Sequence, residues 1–84
     1  GESAGKADHS AIVEAITTTP RVVSLVHLRT QHLGPDEILV GARVAFDPDL
    51  DTAGVAAAVN VVEERVRRAV PTARPIYVEP ADPT

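Results

Sequence analysis

The last third of the chain constrains the fold most strongly, because a long helical pattern runs directly into a strand pattern that is too short to stand alone. Between Asp51 and Val70, apolar residues recur at helical spacing and form one stripe: Val55, Val59, Val62, Val66 and Val70. Asp51 or Thr52 can cap the start of this predicted helix, and Pro71 ends it. The closing sequence IYVEP alternates its side chains, and a strand of this length is stable only when it is added to a larger sheet.

Two alternating runs before that helix predict a β-hairpin. In the run from Arg21 to Leu33, the predicted faces are Val22, Ser24, Val26 and Leu28 on one side and Val23, Leu25, His27 and Arg29 on the other. The return run places Ile38, Val40, Ala42, Val44 and Phe46 on one face and Leu39, Gly41, Arg43, Ala45 and Asp47 on the other. Between them, LGPDE is typical of a turn, because glycine permits positive φ and proline presets a turn position.

A shorter helix precedes the hairpin, with Asp8 or Ser10 as its cap and Pro20 as its stop. Its apolar residues at helical spacing are Ile12, Val13 and Ile16. The order helix, strand, strand, helix, strand predicts an α+β fold, the ferredoxin-like open-faced sandwich (αββαβ). In this fold two helices cover one face of a three-stranded sheet, which we expect to be of antiparallel type.

The second face of the sheet is then left open to solvent. Its predicted residues are Leu25, His27, Arg29, Leu39, Arg43, Tyr77 and Glu79. A mixture of apolar and charged groups is typical of a protein contact surface. We therefore expect a homodimer that forms through this face.

Composition excludes several classes of protein. The chain has 84 residues, enough for one domain with a small core, and no cysteine, methionine or tryptophan. Disulfide scaffolds, thiolate metal sites and cysteine-paired copper chaperones are excluded. The formal charge of −4 argues against a nucleic-acid partner. The sequence has neither a long apolar run nor a charged-then-apolar leader, so we expect the given chain to be soluble.

Catalysis is poorly supported by the residues present, and we predict that the protein is not an enzyme. Ser24 is the one hydroxyl near a strand histidine, and it lies outside any Gly-x-Ser-x-Gly elbow. Asn60, the one asparagine, falls in the middle of a predicted helix, and Gly34 and Gly54 do not form a phosphate-binding loop. No acid, base and nucleophile converge in an arrangement that strand parity permits.

Metal binding is a more serious candidate. His27 on one strand, with Glu79 on another and Asp47 at a strand end, could supply nitrogen and oxygen ligands to zinc. The plainer interpretation is that His27 is a half-buried polar residue of the dimer interface. His32 beside the turn and His9 in the first helix are weaker candidates.

Two charged segments have structural interpretations as well as functional ones. The sequence DPDLD, residues 47–51, alternates its carboxylates as calcium loops do, but it lacks the central glycine and closing glutamate of an EF-hand. Turn and helix-cap chemistry explain it better. The cluster of Arg65, Arg67 and Arg68 is a solvated helix end or, less well supported, a surface for acidic lipid headgroups.

From about Ile12 to Pro80, the chain resembles the cytoplasmic C-terminal domain of the cation diffusion facilitator transporters. The pieces that carry the resemblance are RVVSLVHLRT, LGPDE, VGARVAFD, VNVVEERVRRAVP and IYVEP, in that order and spacing. The resemblance implies a proton-driven exporter of divalent cations such as zinc, iron, cobalt or manganese, located in the cell membrane. This domain would be its cytoplasmic regulatory and dimerising module, with the exporter's own transmembrane domain as a second partner. Residues 1–7 would be the linker from that membrane domain, with GESA as its remnant, residues 8–80 the domain and residues 81–84 a tail.

The chain departs from the family's metal-binding pattern. Where the family commonly has a histidine on the second strand, this chain has Arg43, and the ending His-x-Glu/Asp-Pro reads Tyr77, Val78, Glu79, Pro80. Alignment on Gly34 places Val26, not His27, at the family's first-strand histidine. We therefore predict a degenerate site that requires no metal, with Arg43 and Glu79 as an ion pair. His27 and Glu79 remain the candidate ligands of a divalent cation such as zinc.

The main alternative is a stand-alone, dimeric small-molecule sensor of the ACT-like kind. Such a sensor normally has a glycine-bearing turn and a helix after its first strand, whereas here the first strand runs into another strand.

Overall fold

The computed structural model describes residues 5–83, which form two helices and one three-stranded sheet. The elements are α1 (Lys6–Thr17), β1 (Val22–Gly34), β2 (Glu37–Phe46), α2 (Thr52–Ala69) and β3 (Ala73–Pro80). This order confirms the predicted αββαβ arrangement. The segment GESA, interpreted above as a linker remnant, lies outside the described residues. Within them, neither helix has the length and apolar character needed to cross a membrane.

The strand β2 occupies the centre of the sheet, with β1 and β3 at the edges. β1 pairs antiparallel with β2, as the hairpin requires. β3 pairs parallel with β2, so the expectation of an antiparallel-type sheet was wrong for this strand. The physical reason is that α2 returns the chain to the starting end of β2, which makes β2, α2 and β3 a crossover unit.

The core lies between the sheet and the two helices. The largest of the fully buried side chains are Ile12, Ile16, Ile38, Val40, Val44, Val62 and Val66. They come from α1, β2 and α2, and they form one cluster with partly buried Ile76 and Val78 of β3. The predicted apolar faces of α2, β2 and β3 are therefore confirmed, and both helices cover the same face of the sheet.

Strand β1 does not follow strict alternation. The register with β2 shifts between Val22 and Ser24, between Leu25 and His27, and between His32 and Gly34, as at β-bulges. Each extra residue reverses the faces of the residues that follow it. Leu25 consequently lies opposite Val44 and packs against the core, so its predicted place on the open face was wrong.

The two helices begin with different caps. In α2, Asp51 is the N-cap, and its Oδ1 accepts a hydrogen bond of 2.7 Å from the backbone N–H of Gly54, as predicted. In α1, the N-cap is Gly5, which offers no side-chain acceptor. The predicted caps Asp8 and Ser10 lie inside this helix, which begins at Lys6.

The end of α1 is held to α2 by an arginine. Arg65 donates one hydrogen bond of 2.8 Å to Thr18 Oγ1 and a longer one of 3.4 Å to the backbone oxygen of Ala15. A cation at a helix C-terminus is favoured by the helix dipole. This contact explains one member of the arginine cluster as a structural residue. Arg68 donates to Glu64 on the same helix at 2.8 Å, which explains a second.

An ion pair closes the junction where β1 begins and β2 ends. Arg21 has a positive φ of 75°, uncommon for a residue with a side chain, and its guanidinium donates to Asp47 Oδ2 at 2.8 Å. Asp47 Oδ1 also accepts from the backbone N–H of Asp49 at 2.9 Å. The hydrogen bond from Asp49 and the neighbouring Arg21 lower the pKa of Asp47 below 3.8. The DPDLD sequence is therefore a turn and a helix cap, as predicted.

Asp47→Asn should make the domain less sensitive to acid. Because the pKa of Asp47 is lower in the folded state, its ionised form stabilises the fold above pH 3.8, and this contribution is lost as the pH falls through the folded-state pKa. We expect the difference in free energy of unfolding between wild type and the variant to shrink as the pH falls from 6 to 3. Urea unfolding followed by circular dichroism measures it. Asp36→Asn, at the exposed hairpin tip, is the matched control and should leave the wild-type pH dependence unchanged.

Candidate interface on the open face of the sheet

The face of the sheet that faces away from the helices is open. Its residues, termed the open face below, are His27, Arg29, Gln31, Leu39, Gly41, Arg43, Tyr77 and Glu79. The register aligns most of them in rows that cross all three strands. These rows position side chains that are far apart in sequence side by side.

The first row contains a histidine and two residues of opposite charge. It runs from His27 on β1 through Arg43 on β2 to Glu79 on β3. Arg43 Nε donates a hydrogen bond of 2.7 Å to Glu79 Oε1, so the predicted ion pair is present. Both side chains are more than half exposed, and an ion pair in this setting adds about 0–1 kcal/mol to the stability of the fold. The ion pair therefore contributes little to the stability of the fold, and its importance lies in placing two paired charges on the open face.

The second row has a gap at its centre. It runs from Arg29 on β1 through Gly41 on β2 to Tyr77 on β3. A Cβ atom added at Gly41 would have no neighbour within 4 Å, so the space above this backbone is open. Tyr77 borders the gap and is 63 % exposed, the largest exposure among the large hydrophobic side chains described. The gap was not predicted from the sequence, although a glycine inside a strand is the signal for a close approach.

The candidate metal ligands share a row, but the sheet does not bring them into contact. His27 and Glu79 lie on opposite edge strands, which are separated by about 10 Å because neighbouring strands are about 4.8 Å apart. Arg43 lies between them and holds Glu79. Among residues 5–83, no group of three or more His, Asp or Glu side chains is arranged to hold a metal ion. A ligand role for His27 and Glu79 remains a prediction.

The other candidate residues lie elsewhere. Asp47 is held by Arg21 and Asp49, outside the row of His27. His32 pairs with Ile38, whose side chain belongs to the core, and His9 is exposed on α1. Ser24 lies near the start of β1, and Asn60 lies in the middle of α2. The open face thus unites His27, Arg43 and Glu79 and leaves the remaining candidates dispersed.

A family model described as "Cation efflux protein, cytoplasmic domain" matches residues 4–81, nearly the whole chain. The chain belongs to this family. The name of the family model contains the word dimer, and the family consists of transporter domains, not of enzymes. The match assigns the chain to cation efflux proteins, and so decides against the ACT-like alternative. A search of curated proteins found no match to this cation efflux domain.

Solved structures confirm the fold. The nickel form of one MamM C-terminal domain variant has a TM-score of 0.86 and 21 % identity, and the match covers 95 % of this chain and 100 % of that one. The cadmium form of another variant has a TM-score of 0.85 and 22 % identity, with coverage of 94 % and 98 %. A variant with three substitutions reaches 24 % identity at a TM-score of 0.85, with coverage of 94 % and 95 %. These similarities establish the ferredoxin-like sandwich of this cation efflux domain.

Proposed function

We propose that this domain is the cytoplasmic dimerisation and regulatory module of a proton-coupled divalent cation efflux transporter in the cell membrane. It pairs with a second copy through the open face, and this pairing requires no bound metal. The single observation that carries the proposal is the Arg43–Glu79 ion pair, which joins the central and one edge strand on a solvent-exposed sheet face in a member of this family.

The composition of the open face supports a contact surface. It combines the exposed ring of Tyr77 and the half-buried side chain of Leu39 with charged groups of both signs. Tyrosine and arginine are enriched at protein interfaces, and tyrosine brings large contact area with few rotatable bonds. The helices already bury their apolar stripes against the other face, so the open face is the sheet surface left for a partner.

The charges of the open face oppose tight metal binding within one copy. Arg43 is a permanent cation beside both candidate ligands, and a like charge disfavours a bound cation. Glu79 already accepts the hydrogen bond from Arg43. A metal would have to displace this pair before it could bind the carboxylate. The MamM relatives include nickel, cadmium and copper forms, so the fold admits cations where the side chains allow them.

The regulatory role follows from the position of the domain in an exporter. Two cytoplasmic copies that associate hold the attached transmembrane domains in one relative arrangement. A ligand shifts such an equilibrium only by its differential affinity for the two states. With the ion pair in place of a metal site, we expect this domain to favour the associated state at all cytoplasmic metal concentrations.

The test is to measure association with and without metal. Sedimentation velocity of chelator-treated domain should show a dimer at micromolar concentration, and added zinc should leave its sedimentation coefficient unchanged. Calorimetric titration with zinc should show no stoichiometric binding with a submicromolar dissociation constant. A monomer that dimerises only with zinc would refute the proposal, and so would tight stoichiometric binding.

A matched pair of variants tests the surface itself. Arg43→Glu places a second carboxylate beside Glu79 and should weaken dimerisation at least tenfold. Val61→Glu introduces the same side chain at an exposed position of α2, on the helical side of the molecule, and should leave dimerisation unchanged. Equal effects of the two variants would show that the open face is not the contact.

A further inference from the structure

A groove lies between the two helices, on the side of the molecule that faces away from the open face. Its volume is about 310 Å³, and both α1 and α2 contribute to its walls. Three of its lining residues are alanines, whose small side chains leave space between the helices. The other four are polar or charged: Glu14, Thr18, Arg65 and Arg68. The groove therefore combines open space with two guanidinium groups.

The two arginines bring unused hydrogen-bond donors to this groove. Arg65 is half-buried and donates to the backbone oxygen of Ala15 from Nε and to Thr18 Oγ1 from Nη2. Its Nη1 makes no hydrogen bond within the described part of the chain. Arg68 donates there from Nη2 alone, to Glu64. Both partners of that ion pair are more than half exposed, so a competing anion displaces Glu64 at small cost.

The end of α1 borders the same groove, and bare carbonyl groups at a helix C-terminus would repel an anion. Here hydroxyl groups of three consecutive threonines, Thr17 to Thr19, donate to these carbonyls. The acceptors are the backbone oxygens of Val13, Glu14 and Ala15, at distances of 2.8, 2.6 and 2.7 Å. The hydroxyl donors reduce the negative potential that the helix end presents to the groove.

We propose that this groove binds a phosphate group, from free phosphate or from the headgroup of an acidic lipid, through Arg65 and Arg68. Guanidinium groups suit phosphate because their planar N–H donors pair with its oxygens. The bound group would connect α2, which carries both arginines, to the end of α1, which Arg65 already holds. One copy of the domain forms the whole site, so the inference does not depend on the proposed dimer.

Glu14 is the one carboxylate that lines the groove, and its charge opposes an anion there. Its side chain is exposed, and no hydrogen bond or ion pair holds it within the described part of the chain. Glu14→Gln keeps the shape of the side chain and removes the charge. We therefore expect this variant to bind phosphate at least twofold more tightly than wild type. Weaker binding by Glu14→Gln would contradict the proposed site.

The direct test is a nuclear magnetic resonance titration of the nitrogen-15-labelled domain with inorganic phosphate, at an ionic strength held constant with sodium chloride. We expect the backbone amide signals of Ala15, Thr18 and Ala69 to shift together and to saturate. The amide signal of Gly41, on the open face, should stay in place. Saturable shifts at Gly41 in place of the groove residues would assign the anion to the open face and would overturn the inference.

Two arginine variants test whether the groove itself is responsible. Arg68→Gln removes one guanidinium group without touching the contact that holds α1, and should weaken phosphate binding at least fivefold. Arg67→Gln is the matched control, because Arg67 belongs to the same last turn of α2 but is exposed and outside the groove. It should leave binding unchanged. Equal losses in the two variants would show a general attraction to the positive helix end, with no site in the groove.

Vesicles separate the two sources of the phosphate group. The domain is sedimented with phosphatidylcholine vesicles, with and without phosphatidic acid, and the bound fraction is measured. Binding to phosphatidic acid that Arg68→Gln abolishes and Arg67→Gln preserves would assign the site to a lipid headgroup. A response to inorganic phosphate without vesicle binding would assign it to a soluble ligand. If neither probe binds, the inference is wrong, while the dimer, which is measured separately by sedimentation velocity, is unaffected.

Discussion

Ile16→Ala is expected to lower the free energy of unfolding by about 2–5 kcal/mol, because it removes a fully buried side chain and leaves a cavity. Ile16 lies in α1, a helix of 12 residues that has no side-chain N-cap. A helix this short is marginal by itself and depends on its packed face. A domain of this length is stable by roughly 4–13 kcal/mol in total, so the loss is a large share of the whole.

The measurement is urea unfolding followed by circular dichroism at 222 nm, since the chain has no tryptophan. Val13→Ala is the matched control, because Val13 lies in the same helix but is only half-buried and outside the core cluster. Its expected cost is below about 1 kcal/mol. If both substitutions cost the same, the core would not be organised around the buried face of α1.

Periodicity predicted the elements well where one face of the element is fully buried. In β2 the alternating residues from Ile38 to Phe46 are all buried, and in α2 the valine stripe packs against the sheet. In both elements the hydrophobic effect selects one face, and no other arrangement of the pattern buries as much apolar surface. The same argument predicted correctly that Ile76 and Val78 face the core.

Periodicity failed at β1 because an edge strand tolerates irregularity. The first half of β1 is rich in β-branched and apolar residues on both sides, so the sequence does not mark where a residue is inserted. The bulges move Leu25 to the core and leave Val23 58 % exposed. A β-bulge depends on pairing with β2 and on the twist of the sheet, which a single strand's pattern does not contain.

The direction of β3 was available from the sequence by a different argument. A strand that pairs with the strand before an intervening helix is parallel to it when the helix carries the chain back along the sheet, and α2, with 18 residues, is long enough to do so. The ion pair between Arg43 and Glu79 was also predicted, from residue types at positions expected on one face. His27 was also predicted on the open face, but its position directly opposite Arg43 depends on the register of the hairpin, which shifts three times along β1.

Arg43→His is expected to create a zinc site on the open face. The substitution places an imidazole between His27 and Glu79, one strand from each, and side chains opposite each other on neighbouring strands have Cβ atoms about 4.5–5.5 Å apart. It also removes the permanent cation and frees the carboxylate of Glu79 from its hydrogen bond. Two imidazoles and one carboxylate are a ligand set suited to zinc, with water as the fourth ligand.

We expect the variant to bind zinc at least tenfold more tightly than wild type, a difference of about 1.4 kcal/mol, measured by calorimetric titration at pH 7. Arg43→Gln is the matched control, since it removes the same charge and supplies no imidazole. If Arg43→Gln gains as much affinity as Arg43→His, then charge repulsion alone suppresses metal binding in the wild type, and the row does not provide a three-ligand geometry. If neither variant gains affinity, the separation of the two edge strands, and not Arg43, is what keeps His27 and Glu79 from sharing a metal.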